Sequence, residues 1–392
     1  MTDVCFYFQV HQPYRLKKYT LFDIGKRKDY FDEKKNKEIM RKVARKCYKP
    51  ANRVIQHLLE THDDFKVAYS ITGTAIEQFE EYAPEVLDSF RELVATGKVE
   101  LLNETYYHSL SSLYDPDEFK KQVKQHGKAM KREFGQKPKV FRNTELIYNN
   151  ELGKAVYKLG FKGMLTEGWD AVLGWKSPNH VYKAKGSPIK LLMKNYQLSD
   201  DIAFRFGNKQ WAGYPLTADK FASWVAPIQG DSVNLFMDYE TFGEHQWKDT
   251  GIFNFLKQLP NALKANGVRF HTPSELLKHK PKDEIDVPNT ISWADSERDT
   301  SAWVGNKMQQ SAAKQIFNMK HRVRKSKDKE LMQAWNKLTT SDHLYYMCTK
   351  WFSDGDVHKY FNPYDSPYDG FINVQNVLQD MKNRINLKVS KR

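Results

Sequence analysis

Two acidic residues stand where chemistry would need them. Val140-Phe141-Arg142-Asn143-Thr144-Glu145 is an extended, largely apolar run ending in a carboxylate, and Val233-Asn234-Leu235-Phe236-Met237-Asp238 ends the same way. A carboxylate directly after an apolar strand is costly unless it is solvated or hydrogen-bonded. Where parallel strands close on themselves, their C-terminal tips face the site. Two carboxylates meeting there are the minimum equipment for cleaving a glycosidic bond. In the retaining form of that reaction one attacks the anomeric carbon, while the other protonates the leaving oxygen and then activates water, with the carboxyls roughly 5–5.5 Å apart. Taken singly, Glu145 and Asp238 read more readily as halves of ion pairs at a sheet rim than as catalytic groups.

Their neighbours bear on the choice. His11-Gln12-Pro13 follows the first strand directly, so His11 and Gln12 reach the same rim and can bond a sugar hydroxyl or a carboxylate; a strand-capping histidine is the plain alternative. Glu100 and Glu104 flank the end of a third strand, with Tyr106, Tyr107 and His108 behind them; Glu100 reads as a hydroxyl binder or a rim ion pair. His245 and Trp247 lie just past Asp238, where an indole offers a sugar its apolar face, or packs between loop and helix. Glu240 and Glu244 are near enough in sequence to raise the affinity of Asp238 for a proton. In the stretch from Trp293 to Trp303 two aromatics bracket several carboxylates, among them Asp299, which is either a binding group or a helix N-cap.

The elements that must position these groups alternate between strand and helix over two thirds of the chain. Strands are predicted at 4–10, 65–71, 99–102, 140–144, 161–166, 191–193, 233–237 and 268–270. Helices are predicted over 34–60, around 86–94 with Gly97 as its stop, and over 117–134, 150–159, 218–225 and 252–263, with Pro260 a point where the last bends or restarts. Repeated βα units imply parallel strands with right-handed crossovers. About seven such strands favour an α/β fold closed as a barrel over residues 1–275, with an open doubly wound sheet as the other arrangement. After residue 275 comes a Lys/Pro/Asp-rich loop, then helical spacing over 300–349 and 371–388, so 276–392 is predicted as a loop plus a helical C-terminal region packed on the barrel.

Composition narrows the function classes. The 392 residues are 40% hydrophobic and 14% aromatic, with 9 Trp, 21 Tyr and 23 Phe, which suits a large core and a groove that stacks on flat ligands. The net charge of +14 is dispersed, with basic runs broken by Asp, Glu and apolar residues, and no nucleic-acid-binding motif accompanies it. Cys5, Cys47 and Cys348 lack the spacing of a thiolate metal site or a disulfide framework. No apolar stretch reaches membrane-spanning length and the first residues read as a strand, so a soluble, cytoplasmic chain is expected, with no nucleic-acid or membrane partner.

Together the motifs are specific. His11-Gln12-Pro13, Gly97-Lys-Val-Glu100-Leu, Thr144-Glu145-Leu-Ile-Tyr, Met237-Asp238-Tyr-Glu-Thr-Phe-Gly-Glu-His245 and Asp299-Thr-Ser-Ala-Trp303-Val-Gly-Asn occur in the order, over roughly residues 1–310, in which they mark α-amylase-type members of glycoside hydrolase family 57, which this chain resembles. The resemblance implies a (β/α)7 barrel with a helical C-terminal region and a retaining mechanism on α-glucans such as starch, maltodextrin or glycogen. It makes Glu145 the nucleophile and Asp238 the acid/base, places His11, Glu100, His245, Asp299 and Trp303 among substrate-site residues, and requires no metal or other cofactor. One position departs from the pattern: many transferase and branching members carry Trp three residues before the nucleophile, where this chain has Arg142, which favours an amylase-like member. A 4-α-glucanotransferase is the nearest alternative, because sugar can replace water as acceptor. A metal-dependent polysaccharide deacetylase would need a His/Asp ligand cluster that the sequence does not display, and a glucan-binding protein without activity fits poorly with two retained carboxylates.

Overall fold

Nine strands carry the fold of the computed structural model, which describes residues 3–350 and 362–389. They are β1 (Asp3–Val10), β2 (Val67–Ile71), β3 (Val99–Leu101), β4 (Val140–Arg142), β5 (Gly163–Glu167), β6 (Val181–Ala184), β7 (Lys190–Lys194), β8 (Ser232–Asp238) and β9 (Glu284–Ile285). They divide between two sheets, ordered β3-β2-β1-β8 and β4-β5-β7-β6-β9. All pairings are parallel except β6 with β7. Every residue of β1 is buried, as expected of a parallel strand covered on both faces.

The expected single closed barrel is therefore not what the ladders give, and the physical reason lies at the two seams. At one, β3 and β4 are only three residues long and are joined through the lone bridge Asn103–Phe141. At the other, Asn195 N donates to Asn234 O at 2.9 Å, but the Asn234 amide nitrogen, not a ladder N–H, reaches Met193 O at 2.8 Å. The inner faces still share one core: Cys5 and Tyr7 of β1, Ala68 of β2, Val140 of β4, Leu165 of β5, Leu192 of β7 and Phe236 of β8 pack together. Outward-facing residues such as Val4, Phe6 and Phe8 pack against helices.

Most predicted elements fall within a few residues of their place. The helix Pro116–Phe134 is capped by Asp115, whose side chain accepts from Glu118 N, and stops at Gly135 in the left-handed region, φ 71°. Gly97, φ 75°, follows the helix Pro84–Ala95. The helix Ile252–Ala265 runs through Pro260 without ending. Residues 268–270 form only the bridge Val4–Phe270, while β6 and β9 are additional. The chain just beyond 275 thus still adds a strand to the second sheet before the helices begin.

Those helices, Lys307–Asn318, Lys320–Ser326, Lys329–Leu338 and Pro367–Val389, bury a core of their own around Trp303 and Trp335. The Trp335 indole N–H donates to Ile316 O at 2.7 Å. No helix among the described residues is long and apolar enough to cross a membrane. Trp335→Ala is expected to destabilise the protein by about 3–5 kcal/mol, by loss of apolar burial and the cavity left behind. A denaturant-unfolding midpoint unchanged from wild type would show that this core is not what holds the helices together.

Candidate active site

The C-terminal tips of β1, β4, β7 and β8 open onto one cavity of ≈ 470 Å³. His11 and Gln12 reach it from β1, Glu145 from β4, Lys194 from β7, and Asp238, Glu240 and His245 from β8 and the turn after it. Trp293, Asp295, Arg298 and Trp303 close one side, and Asp342, Tyr345 and Tyr346 arrive from the helical region.

Glu145 sits on a strained turn with φ 58° and ψ 26°, followed by Leu146 at φ 50°. The left-handed region costs a non-glycine residue about 1–2 kcal/mol. Among described non-glycine residues with positive φ, His108, Glu145, Asp295 and Arg298 all line the cavity, and strain gathered in this way is a mark of functional sites. The turn aims the Glu145 carboxylate at three donors. His108 Nε2 lies 3.2 Å from Oε1, Ser341 Oγ donates to Oε1 at 3.1 Å, and the Trp293 indole N–H donates to Oε2 at 2.9 Å.

His108 is the pivot of this arrangement. Its Nδ1 lies 3.0 Å from Glu104 Oε2 and its Nε2 faces Glu145, so both nitrogens must carry protons to satisfy two carboxylates. Burial pushes its pKa down, but the bonds and charges of Glu104 and Glu145 prevail and raise it to about 9. Burial likewise works to raise the carboxyls, yet His108 and Arg142 hold Glu145 below the usual range, and His108 with its neighbours holds Glu104 at about 2. Glu104 also accepts from Gln9 Nε2 at 2.9 Å.

Arg142 supplies a second fixed charge. It is fully buried, and none of its guanidinium nitrogens has a hydrogen-bond partner among the described residues. It stacks 4.7 Å from the centroid of Trp293, the residue that bonds Glu145. Trp293 is also gripped through its carbonyl by Arg298 at 2.5 Å and lies 5.5 Å from Lys194 Nζ. Lys194 and Arg298 both pair with Glu167 and Asp200 at 3.1–3.8 Å, forming a four-charge network at the tips of β5 and β7.

Asp238 is in the opposite situation. Burial raises its pKa first, and the negative charge of Glu145 raises it further, against smaller opposing pulls from Arg142, His108 and Lys194. Glu240, bonded by the Tyr48 hydroxyl, is pushed up by burial and then by Asp238. Within the cavity, therefore, Glu145 is held below the ordinary carboxyl range while Asp238 and Glu240 are pushed above it. His245, lowered by burial to about 4, is a neutral imidazole.

Of the residues singled out in the sequence, His11, Gln12, Glu145, Asp238, His245 and Trp303 line this cavity. Glu100 does not. It is interior to β3, pairs with Ala68, and is bonded by the backbone N–H (2.8 Å) and hydroxyl of Ser274, away from the strand tips. Glu104, three residues past the end of β3, is buried behind the cavity and bears on it through His108. Asp299 is exposed and outside the lining, its Oδ1 accepting from Ser301 N at 2.7 Å and Ser301 Oγ at 2.5 Å; the N-cap of the helix Ser301–Val304 is Thr300 rather than Asp299, and Asp295 is the carboxylate of that loop in the cavity wall. Trp247 stands outside the lining, 56% exposed beside Lys46. His108 and Asp342 were not singled out: the first lies in the stretch that also holds Glu104, and the second comes from a segment whose helical spacing carries no sign of a site. No group of three or more His, Cys, Asp or Glu among the described residues is placed to hold a metal ion.

Glu104→Gln removes one of the two carboxylates holding His108. The imidazole pKa, read by NMR titration, is expected to fall from about 9 toward its ordinary value, and Glu145 to titrate higher as its cationic partner weakens. A His108 titration unmoved by the substitution would refute the paired imidazolium.

Residues 5–288 match the model of glycosyl hydrolase family 57. A protein of Methanocaldococcus jannaschii carrying the name "Putative alpha-amylase" is 46% identical over 398 residues, which cover 97% of this chain and 84% of that one. The fold is similar to those of a GH57-type branching enzyme from Pyrococcus horikoshii (TM-score 0.67, 15% identity, 92% of this chain and 87% of that chain) and a 4-alpha-glucanotransferase from Thermococcus litoralis (TM-score 0.59, 17% identity, 92% of this chain). The chain spans 54% of the length of the glucanotransferase. This α/β chain, with its mixed sheets and its paired acids in one cavity, belongs to glycosyl hydrolase family 57.

Proposed function

We propose that this protein hydrolyses α-glucans as a retaining, α-amylase-type enzyme, with Glu145 as nucleophile and Asp238 as acid/base. The observation that carries the reading is the opposite tuning of two carboxyls lining one cavity: His108 and Arg142 lower the proton affinity of Glu145, and burial and the charge of Glu145 raise that of Asp238. A pair pushed apart in this way divides naturally into nucleophile and acid.

In the first step an oxygen of Glu145 bonds to the anomeric carbon as the glycosidic C–O bond breaks, and the Asp238 proton goes to the leaving oxygen. In the second, the Asp238 carboxylate takes a proton from water, the water oxygen bonds to the same carbon, and Glu145 departs. Charge develops on the sugar in both transition states, and the four-charge network behind Trp293 keeps the walls from rearranging in response. Around this chemistry we read the sheets as one interrupted (β/α)7 barrel, running β8-β1-β2-β3-β4-β5-β7 and back to β8. The Asn103–Phe141 bridge and the Asn195–Asn234 bond across the seams support it. A cytoplasmic setting accords with three buried cysteines that form no disulfide.

Glu145→Gln is expected to keep the fold and lower glucan hydrolysis by roughly 10⁴-fold, and azide to rescue Glu145→Ala by yielding a glycosyl azide of inverted configuration. Near wild-type turnover by Glu145→Gln would overturn the nucleophile. Asp238→Asn is expected to damage natural glucans far more than aryl glycosides with good leaving groups; equal losses would remove Asp238 as the acid. Digestion in ¹⁸O-labelled water should place the label at new reducing ends. Label-free products lengthened by added maltose would instead identify a transglycosylase.

The pH profile follows from the same tuning. Glu145 must be ionised, so kcat/KM falls only as pH drops through its lowered pKa. Asp238 must be protonated, so activity falls as pH rises through its raised pKa. A profile whose basic limb is unchanged in Asp238→Glu and Glu145→Asp enzymes would contradict the assignment of that limb to this pair.

A further inference from the structure

The chain just beyond Asp238 is gripped by one long helix. Residues 33–61 run helically throughout, but Ala44–Tyr48 winds as a π-helix between the α-helices Glu33–Val43 and Lys49–Thr61. Pro50 accounts for the wide turn. It has no N–H to give to Lys46 O, and its ring crowds the carbonyl four residues back. Lys49 N donates to Ala44 O, five residues back. The Lys46 carbonyl lies against Gly243, where φ is 110° and a Cβ would collide with the carbonyl oxygen. Single π-turns of this kind gather at functional sites.

The π-turn and its flanks bond the segment after Asp238 at successive residues. Cys47 Sγ donates to Tyr239 O at 3.3 Å, the Tyr48 hydroxyl donates to Glu240 Oε1, and the Tyr239 hydroxyl donates to Asn52 Oδ1 at 2.7 Å. Lys42 and Lys46 pair with Glu244 at 2.5 and 3.4 Å. Glu240 lines the cavity together with Asp238, and the charge of Asp238 raises its proton affinity, so the two carboxyls are close enough to feel each other. The Asp238 side chain itself has no hydrogen bond among the described residues. Its direction is therefore set by the backbone turn that carries it, and that turn is what the helix holds.

We propose that Tyr48 is a positioning residue for the acid/base: the π-turn aims its hydroxyl at Glu240, and the clamped turn fixes the direction in which Asp238 presents its carboxyl to the leaving oxygen. The inference rests on the reading of Asp238 as the acid. Tyr48 acts from behind the site. It is fully buried, packs its ring against Phe79, Phe90 and Tyr239, and is not part of the cavity lining. A clamp that only stabilised the fold would use the same bonds. The two roles part on leaving groups, because a misdirected acid spares a substrate whose leaving group needs no proton, whereas a weakened fold spares neither.

The test compares kcat/KM on maltoheptaose with kcat/KM on a dinitrophenyl α-maltotrioside, whose leaving group departs without a proton. Tyr48→Phe keeps the packed ring and removes only the hydroxyl. It should lose on the order of 10- to 100-fold on maltoheptaose, the scale of a small misplacement of a reacting group, and less than about twofold on the aryl substrate. The ratio of the two is independent of how much enzyme is folded. Glu240→Leu severs the same bond from its other end and should shift the ratio in the same direction. The double variant should be no slower on maltoheptaose than Glu240→Leu alone, because the two substitutions remove one interaction. Equal losses on both substrates, no loss on either, or a double variant that loses the product of the two single factors would overturn the role of Tyr48 and leave the acid in place. Equal losses on both substrates in Asp238→Asn would overturn the acid reading and this inference with it.

Discussion

The site depends on one buried positive charge. A histidine placed 3.0 and 3.2 Å from two carboxylates is tolerated in the interior only because each charge satisfies the others. Removing His108 leaves two buried carboxylates without their cation, and removing either carboxylate leaves one imidazolium N–H without its partner, so the three specify one another. Their meeting demands that β3 and β4 lie side by side, which the Asn103–Phe141 bridge achieves with two very short strands. It also demands backbone strain, accepted at both His108 and Glu145. The helical region is recruited to the same point, through the bond of Ser341 N to His108 O.

From that centre an electrostatic gradient runs across the cavity. On the Glu145 side stand the imidazolium and the guanidinium of Arg142, which has no hydrogen-bond partner among the described residues, both favouring negative charge. On the Asp238 side stand Glu240 and a neutral His245, which offer no counter-charge. Two chemically similar side chains are thereby given different proton affinities by position alone. Arg142 stacks on Trp293 and so acts on the nucleophile both by charge and through the indole that bonds it.

What the sequence revealed and what it hid follow the range of the interactions. Glu145 and Asp238 were legible because an apolar run ending in an acid is a local pattern, and a strand tip is where such a pattern ends. His11 and Gln12 were legible for the same reason. Glu100 misled because a three-residue strand gives no clear tip: one register step inside it means the far end of the sheet. The division into two sheets was invisible because it turns on an Asn234 side chain entering the seam and on bridges of single residues. Asp342 lies nearly 200 residues from Glu145, and its position is set by packing around Trp335 and by Thr340 meeting Tyr107. Nothing in its local sequence distinguishes it from a helix cap.

The central claim is that Glu145 becomes covalently bonded to the sugar while Asp238 handles the proton. The most direct measurement traps that state with a 5-fluoro-α-glycosyl fluoride, which forms the glycosyl-enzyme faster than it is hydrolysed, followed by mass spectrometry of the digested protein. The account predicts one added sugar per chain, on the peptide that contains Glu145 and on that carboxylate. A sugar carried on Asp238, or complete turnover to product of inverted configuration with no adduct, would contradict it.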